Sequence, residues 1–223
     1  MDSRSGKAQR TRETILQAAL KLFLKDGYEK TTMRRIAEKA GLTPGATYYY
    51  FPSKEHIIFQ YYSLSYDEHL DILLPQLDGL YKFNDRLTVA LHAHIDVAKP
   101  YHDVSKALFR IAADPTHSLS PFSDESRELR NRNIQLYHLI INGSDLKVPK
   151  AIAERLPELL WLHKMGIILY WLYDKSPNQE KTDRLIDKSC AVVTRLLKSA
   201  RLPLVKQFSK KLIDMVDEFK PYG

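Results

Sequence analysis

Cysteine is almost absent from this chain of 223 residues, in which Cys190 is the single thiol. One cysteine excludes a disulfide within the chain, and it also excludes zinc or iron–sulfur sites built from several thiolates. Because Cys190 precedes the apolar residues Ala191, Val192 and Val193, we expect it to be a small buried side chain with no reactive role.

Glycine is also scarce, with eight residues in the whole chain. The sequence contains neither a glycine-rich phosphate-binding loop nor the nucleophile elbow of a hydrolase. His92, His94 and Asp96 resemble metal ligands, but on a helix only His92 and Asp96 share a face, and two ligands do not make a site. We therefore expect a protein that is not an enzyme and that has no cofactor and no metal.

Long apolar runs suited to a membrane are missing as well. The longest apolar stretch, from Leu159 to Tyr173, contains His163 and Lys164 and is too short for a membrane span. The N-terminus is polar and lacks the apolar segment of a secretion signal. We expect a soluble, cytoplasmic protein without a membrane partner.

Positive charge is concentrated near the N-terminus. Residues 1–55 contain eleven Lys or Arg and six Asp or Glu, which gives five of the seven net positive charges of the chain. This asymmetry is typical of a phosphate-binding region, although an ordinary solvated surface rich in lysine has the same composition.

Apolar residues recur at helical spacing along the whole chain, and the alternating pattern of strands is almost absent, which predicts an all-α protein. Proline marks many of the expected helix ends. The predicted helices cover about residues 8–26, 33–40, 44–50, 54–74, 84–98, 101–113, 123–142, 150–174 with a break near Pro157, 177–199 and 203–219.

Residues 32–51 have the pattern of a helix-turn-helix motif. Thr32 is a helix cap, Gly41 suits the turn that ends the helix, and Thr43 with Pro44 begins the next helix. The second helix of such a motif is the usual reader of the DNA major groove. The spacing also predicts that Thr47, Tyr50 and Phe51 point largely inward.

Three consecutive tyrosines end this second helix. Adjacent helical residues point about 100° apart, so Tyr48 and Tyr49 cannot both share the buried face of Phe51. Tyr50 fits a core position equally well. Phenol hydroxyls beside Lys54 are natural donors to phosphate oxygens, and such contacts position a protein on DNA without reading its sequence.

Residues from about 9 to 60 resemble the DNA-binding domain of TetR-family transcriptional regulators. The resemblance implies an all-α homodimer whose operator binding is relieved by an unknown small-molecule effector. It divides the chain into a flexible basic tail (1–8), a three-helix DNA-binding domain (9–55, motif 32–51) and a helical ligand-binding and dimerisation domain (56–223). The matching elements are Thr31-Thr32, Ile36-Ala37, Ala40-Gly41, Gly45, Tyr48-x-Tyr50-Phe51 and Ser53-Lys54-Glu55.

The resemblance also implies the contacts with a double-stranded, pseudo-palindromic operator. The reading helix lacks Arg, Asn and Gln, so we expect discrimination from Arg34 to guanine, from the methyl groups of Ala46 or Thr47, and from DNA shape. Arg35 opposes the dipole of its helix, and a nearby phosphate would offset that effect. The implied groove contacts are Arg34, Thr43, Pro44, Gly45, Ala46 and Thr47, and the implied phosphate contacts are Thr32, Tyr48, Tyr49, Tyr50 and Lys54.

The stretch from Leu159 to Tyr173 is apolar nearly all round its helix. A second subunit would cover it, although a buried helix in a monomer has the same pattern. The resembling family pairs its last two main helices across a twofold axis as a four-helix bundle. The candidate interface residues are Met165, Ile168, Leu169, Leu172, Leu185, Ile186, Val193, Leu196 and Leu197.

A pocket for the effector is predicted in the middle helices, where aromatic and polar residues are mixed. Arg110, if buried, would need an acidic partner or an anionic ligand. The alternative is a regulator without an effector, whose C-terminal domain only dimerises or contacts another protein. The candidate pocket residues are His92, His102, Phe109, Arg110, Tyr137, His138, Trp161 and Tyr170.

Overall fold

The computed structural model describes residues 2–199 and Glu218, and all regular structure among them is helical. The predicted all-α class is therefore confirmed. The predicted helix 203–219 lies outside the described residues apart from Glu218. The helices are α1 Asp2–Asp26, α2 Met33–Ala40, α3 Pro44–Tyr50, α4 Lys54–Gln76, α5 Phe83–Ala98, α6 His102–Ala112, α7 Arg127–Asn142, α8 Lys150–Tyr173 and α9 Glu180–Ser199, with short 3-10 turns at Lys99–Tyr101 and Pro177–Gln179.

The main differences from the predicted helices are in α1, α7 and α8, and the other bounds differ by three residues or fewer. α1 begins at Asp2 and not near residue 8, so it includes the segment expected as a separate tail. α7 begins at Arg127 because Ser123 holds a turn, in which its hydroxyl accepts from the Ser126 N–H (3.2 Å) and donates to the Ser118 carbonyl (2.7 Å). α8 continues through Pro157 without the predicted break.

The chain divides into two compact units, Met1–Tyr66 with Tyr101–Arg127 and Asp67–Pro100 with Glu128–Gly223. This division differs from the predicted boundary at residue 55, because α6 packs on α1 and joins the N-terminal unit. Apolar residues of α1, α2, α4 and α6 form the core of this first unit. Its fully buried members include Ile15, Phe23, Ile36, Ile57, Ile58 and Leu108.

The second unit is built from the rest of α4 with α5, α7, α8 and α9. Its core includes Leu87 of α5 and Trp171 of α8, both almost completely buried. Arg86 is buried too, and its guanidinium donates to the carbonyls of Leu77 (3.1 Å) and Ile140 (3.1 Å). Since carbonyls at helix C-termini have no intrahelical partner, this one side chain satisfies the ends of α4 and α7 together.

Asp174 organises the turn between α8 and α9. Its carboxylate accepts hydrogen bonds from the N–H and hydroxyl of both Ser176 and Thr182, at 2.7 to 2.9 Å. Partial burial opposes ionisation, but these hydrogen bonds outweigh it and lower the pKa of Asp174 to about 2. The side-chain oxygen of Gln179 accepts from the Trp171 indole N–H at 2.9 Å, which ties this turn to α8.

Candidate nucleic-acid interface

α2 is oriented by its cap and its apolar face. The Thr32 hydroxyl accepts the N–H of Arg35 at 3.3 Å, which satisfies one free donor of the first turn. Met33, Ile36 and Ala37 are buried. The opposite face therefore leaves the side chain of Arg34 exposed, as the prediction of a groove contact requires.

The turn between α2 and α3 depends on Gly41. Its φ is +70°, in the left-handed region that side chains with a Cβ rarely adopt. The N–H of Gly41 donates to the Glu38 carbonyl (3.1 Å), and the N–H of Leu42 donates to the Ala37 carbonyl (2.9 Å). These bonds end α2 and fix the direction in which the chain enters α3.

α3 begins at the surface. The Thr43 hydroxyl accepts the N–H of Ala46 at 3.2 Å, and Pro44 occupies the first helical position. Thr43, Pro44 and Gly45 are exposed, and Ala46 is half-buried. The first turn of the predicted reading helix therefore presents only small side chains to solvent, so a partner could approach its backbone closely.

Thr47 lies on the opposite face of α3 and is fully buried, as its helical spacing predicts. Its hydroxyl donates to the Thr43 carbonyl at 3.2 Å. The predicted contact between the Thr47 methyl group and thymine is therefore wrong, because this side chain is part of the core that holds α3. Tyr50 is half-buried, and the Arg12 guanidinium lies 5.8 Å from its ring centre.

Tyr48 and Tyr49 project from α3 into solvent. Tyr48 is 53% exposed and Tyr49 is 82% exposed, the largest fraction among the large apolar side chains in the described part of the chain. The Tyr49 ring meets the edge of Tyr50 at 5.2 Å between centres. A tyrosine this exposed buries little apolar area, so its ring contributes almost nothing to the stability of the fold.

Lys54 is held by Tyr28, in the turn that follows α1, and the sequence did not predict this contact. Its ammonium donates to the Tyr28 carbonyl (3.0 Å) and lies 3.8 Å from the centre of the Tyr28 ring. The Tyr28 hydroxyl donates to the Glu55 carboxylate. Burial and this carboxylate raise the pKa of Tyr28, while hydrogen bonds from Ser53 and Tyr28 outweigh burial and lower the pKa of Glu55.

Arg35 has a partner within the protein. Its guanidinium forms an ion pair with Asp26 (2.6 Å) and donates to the Lys30 carbonyl (3.0 Å). A phosphate is therefore not needed to offset its position near the start of α2. The pair joins the end of α1 to α2.

The predicted pocket residues are spread over both units. His102, Phe109 and Arg110 belong to α6 of the first unit, and Arg110 is exposed, so it is not the buried arginine that would need an anion.

The other candidates lie in the second unit and differ in burial. Tyr137 and Trp161 are buried in the core and His138 is half-buried, whereas Tyr170 is 41% exposed. His92 lies at the surface of α5, where its Nε2 is 2.9 Å from the Asp187 carboxylate of α9.

The predicted dimer residues divide into two groups. Leu172 and Ile186 are buried within the second unit, so they are not available to a partner and their assignment is wrong. Leu169 and Leu196 are exposed, and sequence reasoning missed the equally exposed Val192. The half-buried candidates are Met165, Ile168, Leu185, Val193 and Leu197.

Membrane-spanning and metal-binding features are both missing from residues 2–199 and Glu218. Within those limits no helix combines the length and the apolar character that a bilayer crossing requires. Nor do three His, Cys, Asp or Glu side chains in that part lie close enough together to hold a metal ion.

Comparison with known proteins adds independent information. Residues 15–61 match the family described as "Bacterial regulatory proteins, tetR family", and residues 86–218 match "Tetracyclin repressor-like, C-terminal domain". The "Probable HTH-type transcriptional regulator ArpR" of Pseudomonas putida is 38% identical over 180 residues, which cover 75% of this chain and 78% of that protein. The "HTH-type transcriptional repressor KstR" of Rhodococcus jostii (strain RHA1) is 28% identical over 145 residues, covering 56% of this chain and 68% of that protein.

The fold has counterparts among solved structures. The TetR transcriptional regulator from Nitrosomonas europaea superposes with a TM-score of 0.62 at 14% identity, covering 81% of this chain and 96% of that one. Identity this low shows the fold alone. Together with the two family matches it gives the same answer as the motif: the chain belongs to the TetR family of bacterial transcriptional regulators, which are DNA-binding proteins and not enzymes.

Proposed function

We propose that this protein is a cytoplasmic, homodimeric repressor that binds a pseudo-palindromic double-stranded operator through α3 and leaves it when a small molecule binds. The observation that supports the contact with DNA is the two-sided character of α3. Thr47 ties one face into the core, whereas Thr43, Pro44, Gly45 and Tyr49 are exposed on the other.

Gly45 supports a close approach by a partner. Its φ is not in the left-handed region, and a Cβ atom added there would meet no atom within 4 Å. Glycine in a helix costs about 0.5–1 kcal/mol relative to alanine. The fold does not require glycine at this position. We therefore infer that glycine is needed for DNA binding, because a side chain here would keep the backbone of α3 from lying against the duplex.

Side chains around Gly45 can supply the remaining contacts. The hydroxyls of Tyr48 and Tyr49 can donate to phosphate oxygens. Lys54 uses one N–H for the Tyr28 carbonyl, and an ammonium group has three, so two remain for phosphate. Arg34 is the exposed residue suited to a bidentate contact with guanine, and Ala46 replaces Thr47 as the methyl contact to thymine.

An exposed apolar surface on α8 and α9 supports the dimer. Leu169 and Tyr173 are one turn apart on α8, and Val192 and Leu196 are one turn apart on α9. Pairing two such surfaces would bury them in a four-helix bundle. A twofold dimer also presents two reading helices to successive major grooves, which a single subunit cannot do.

The repressor role is supported by the name of a relative. KstR is named a repressor, and its match covers about half of this chain.

Binding of the purified protein to fragments of its own genomic neighbourhood tests the proposal. We expect a specific, salt-sensitive complex with one pseudo-palindromic fragment, protected over two half-sites one helical turn apart. Retention of no fragment at low salt would contradict DNA binding, and a protected region of one half-site would contradict the dimer.

A further inference from the structure

Four polar side chains from four helices meet inside the second unit. His69 comes from α4, His94 from α5, Asn133 from α7 and Lys164 from α8. Only 1% of His69 and 3% of Lys164 is exposed. The rings of His69 and His94 lie 5.2 Å apart between centres, and the Lys164 ammonium donates to the side-chain oxygen of Asn133. We name these four residues the Lys164 cluster.

The cluster contains groups that can carry positive charge and none that carries negative charge. Among the described residues, no carboxylate lies within ion-pair distance of Lys164. Burial lowers the pKa of Lys164 to about 7. Burial, and then the charge of Lys164, lower the pKa of His69 to about 4 and hold that of His94 well below its usual value.

The hydrogen bonds of the cluster are also incomplete. His69 Nε2 is 2.9 Å from the Ala90 carbonyl and must therefore carry the proton. His69 Nδ1 is buried and has no hydrogen-bond partner among the described residues. Buried polar atoms in proteins are nearly always paired. A core built for stability alone would replace Lys164 by an apolar residue, since an uncompensated buried cation is strongly unfavourable.

We propose that the Lys164 cluster is the effector site of this regulator and that it binds a small organic acid, whose carboxylate pairs with the Lys164 ammonium. This inference rests on the ligand response proposed above. The carboxylate supplies the negative charge that the cluster lacks, and a hydroxyl next to it can donate to His69 Nδ1. Buried Trp161 lies almost one turn before Lys164 on the same helix, which suits an acid with an apolar body.

Binding of such an acid has a proton balance. An amine with a pKa of about 7 is mostly neutral at about pH 8.5. A bound carboxylate stabilises the ammonium form, so the protein takes up nearly one proton from the buffer for each acid bound. At about pH 6 Lys164 is already charged, and the uptake falls close to zero.

Matched ligands test the site in the parent protein. The probes are benzoate, phenylacetate, hexanoate and octanoate, each beside its primary amide. We expect at least one acid to raise the melting temperature, to release labelled operator and to take up nearly one proton at about pH 8.5, measured by calorimetry in buffers of different ionisation enthalpy. The amide of that acid has the same shape without the charge, so it should do none of these.

A pair of variants tests the residue. Lys164→Met keeps the approximate length of the side chain and removes its charge. The variant should keep operator binding, and its affinity for the acid should fall by about tenfold or more. Lys181→Met changes an exposed lysine of the same unit and should respond as the parent does. If Lys164→Met does not fold, the acid and amide comparison in the parent decides alone.

Three results would overturn the inference: amides that act as well as their acids, binding of an acid without proton uptake at about pH 8.5, or no acid of the series acting at millimolar concentration. These failures differ from failure of the proposed function. A parent protein that binds no operator contradicts the function, whereas intact operator binding that only uncharged compounds release contradicts the Lys164 cluster alone.

Discussion

Gly45→Ala should change protein stability and operator affinity in opposite directions. Within the protein the added methyl group meets no atom within 4 Å, and the backbone of Gly45 is already helical. Alanine should therefore stabilise α3 by about 0.5 kcal/mol, the lower end of the usual range because the site is in the first turn. For a chain of this size, that corresponds to a rise in melting temperature of about 1–2 °C.

The same methyl group should weaken DNA binding. If the α3 backbone lies against the duplex, the methyl overpacks the contact and costs about 1–3 kcal/mol per subunit, which is about 5- to 150-fold in Kd for each half-site that the dimer contacts. Thermal unfolding and fluorescence anisotropy with labelled operator measure the two effects on one preparation. Unchanged operator affinity would refute the inferred close approach.

Gly41→Ala is the matched contrast. A Cβ atom there also meets no atom within 4 Å, but the φ of +70° makes any side chain strained. This variant should lower the melting temperature, with the loss arising in the fold itself. If both variants changed stability in the same direction, the distinction between the two glycines would be wrong.

Four further predictions concern other parts of the molecule. Tyr49→Phe should leave the melting temperature unchanged and weaken operator and scrambled duplex alike, by about 0.5–1.5 kcal/mol in anisotropy titrations. Gly143→Ala should lower stability in urea by about 1–3 kcal/mol, because its Cβ atom would lie 2.4 Å from the Arg86 guanidinium, which four carbonyls hold in place. Asp174 has a pKa of about 2 in the folded protein, below its ordinary value of 3.8. Its ionised form therefore stabilises the fold fully above about pH 4, and this stabilisation is lost as the pH falls through about 2. Asp174→Asn should make the free energy of unfolding less dependent on pH in that window. Leu196→Glu changes a side chain that is 62% exposed, so it should yield folded monomers in light scattering.

Each of these has a result that would contradict it. For Tyr49→Phe the contradicting result is a loss of affinity confined to the specific operator, and for Gly143→Ala it is unchanged urea unfolding. For Asp174→Asn it is an unaltered acid transition, and for Leu196→Glu it is the mass of a dimer in light scattering.

The helix-turn-helix could be predicted from sequence because its signals are local. The cap at Thr32, the turn at Gly41 and the cap at Thr43 each act within four residues, and the structure has all three. Where two kinds of sequence reasoning disagreed, helical spacing was the better guide. It placed Thr47 inside, whereas the family resemblance placed it in the groove.

The misses depend on residues that are far apart in sequence. Lys54 contacts Tyr28 across 26 positions, and no local pattern predicts such a pair. Lys164 looked like an interruption of an apolar helix, and only the packing of α4, α5 and α7 around it reveals a buried cation. Because α8 is apolar on all sides, its sequence pattern likewise does not predict that Leu172 is buried in its own subunit and that Leu169 is exposed.

Photocrosslinking from position 49 tests whether α3 lies against the DNA duplex. Tyr49 is replaced by p-benzoylphenylalanine, the protein is irradiated with labelled operator, and Tyr81, which is 67% exposed in the second unit, is replaced in a control. We expect a covalent protein–DNA complex from position 49 that unlabelled operator suppresses, and none from position 81. Crosslinking from position 81, or none from position 49 under conditions where the operator is bound, would contradict the placement of α3 against the duplex.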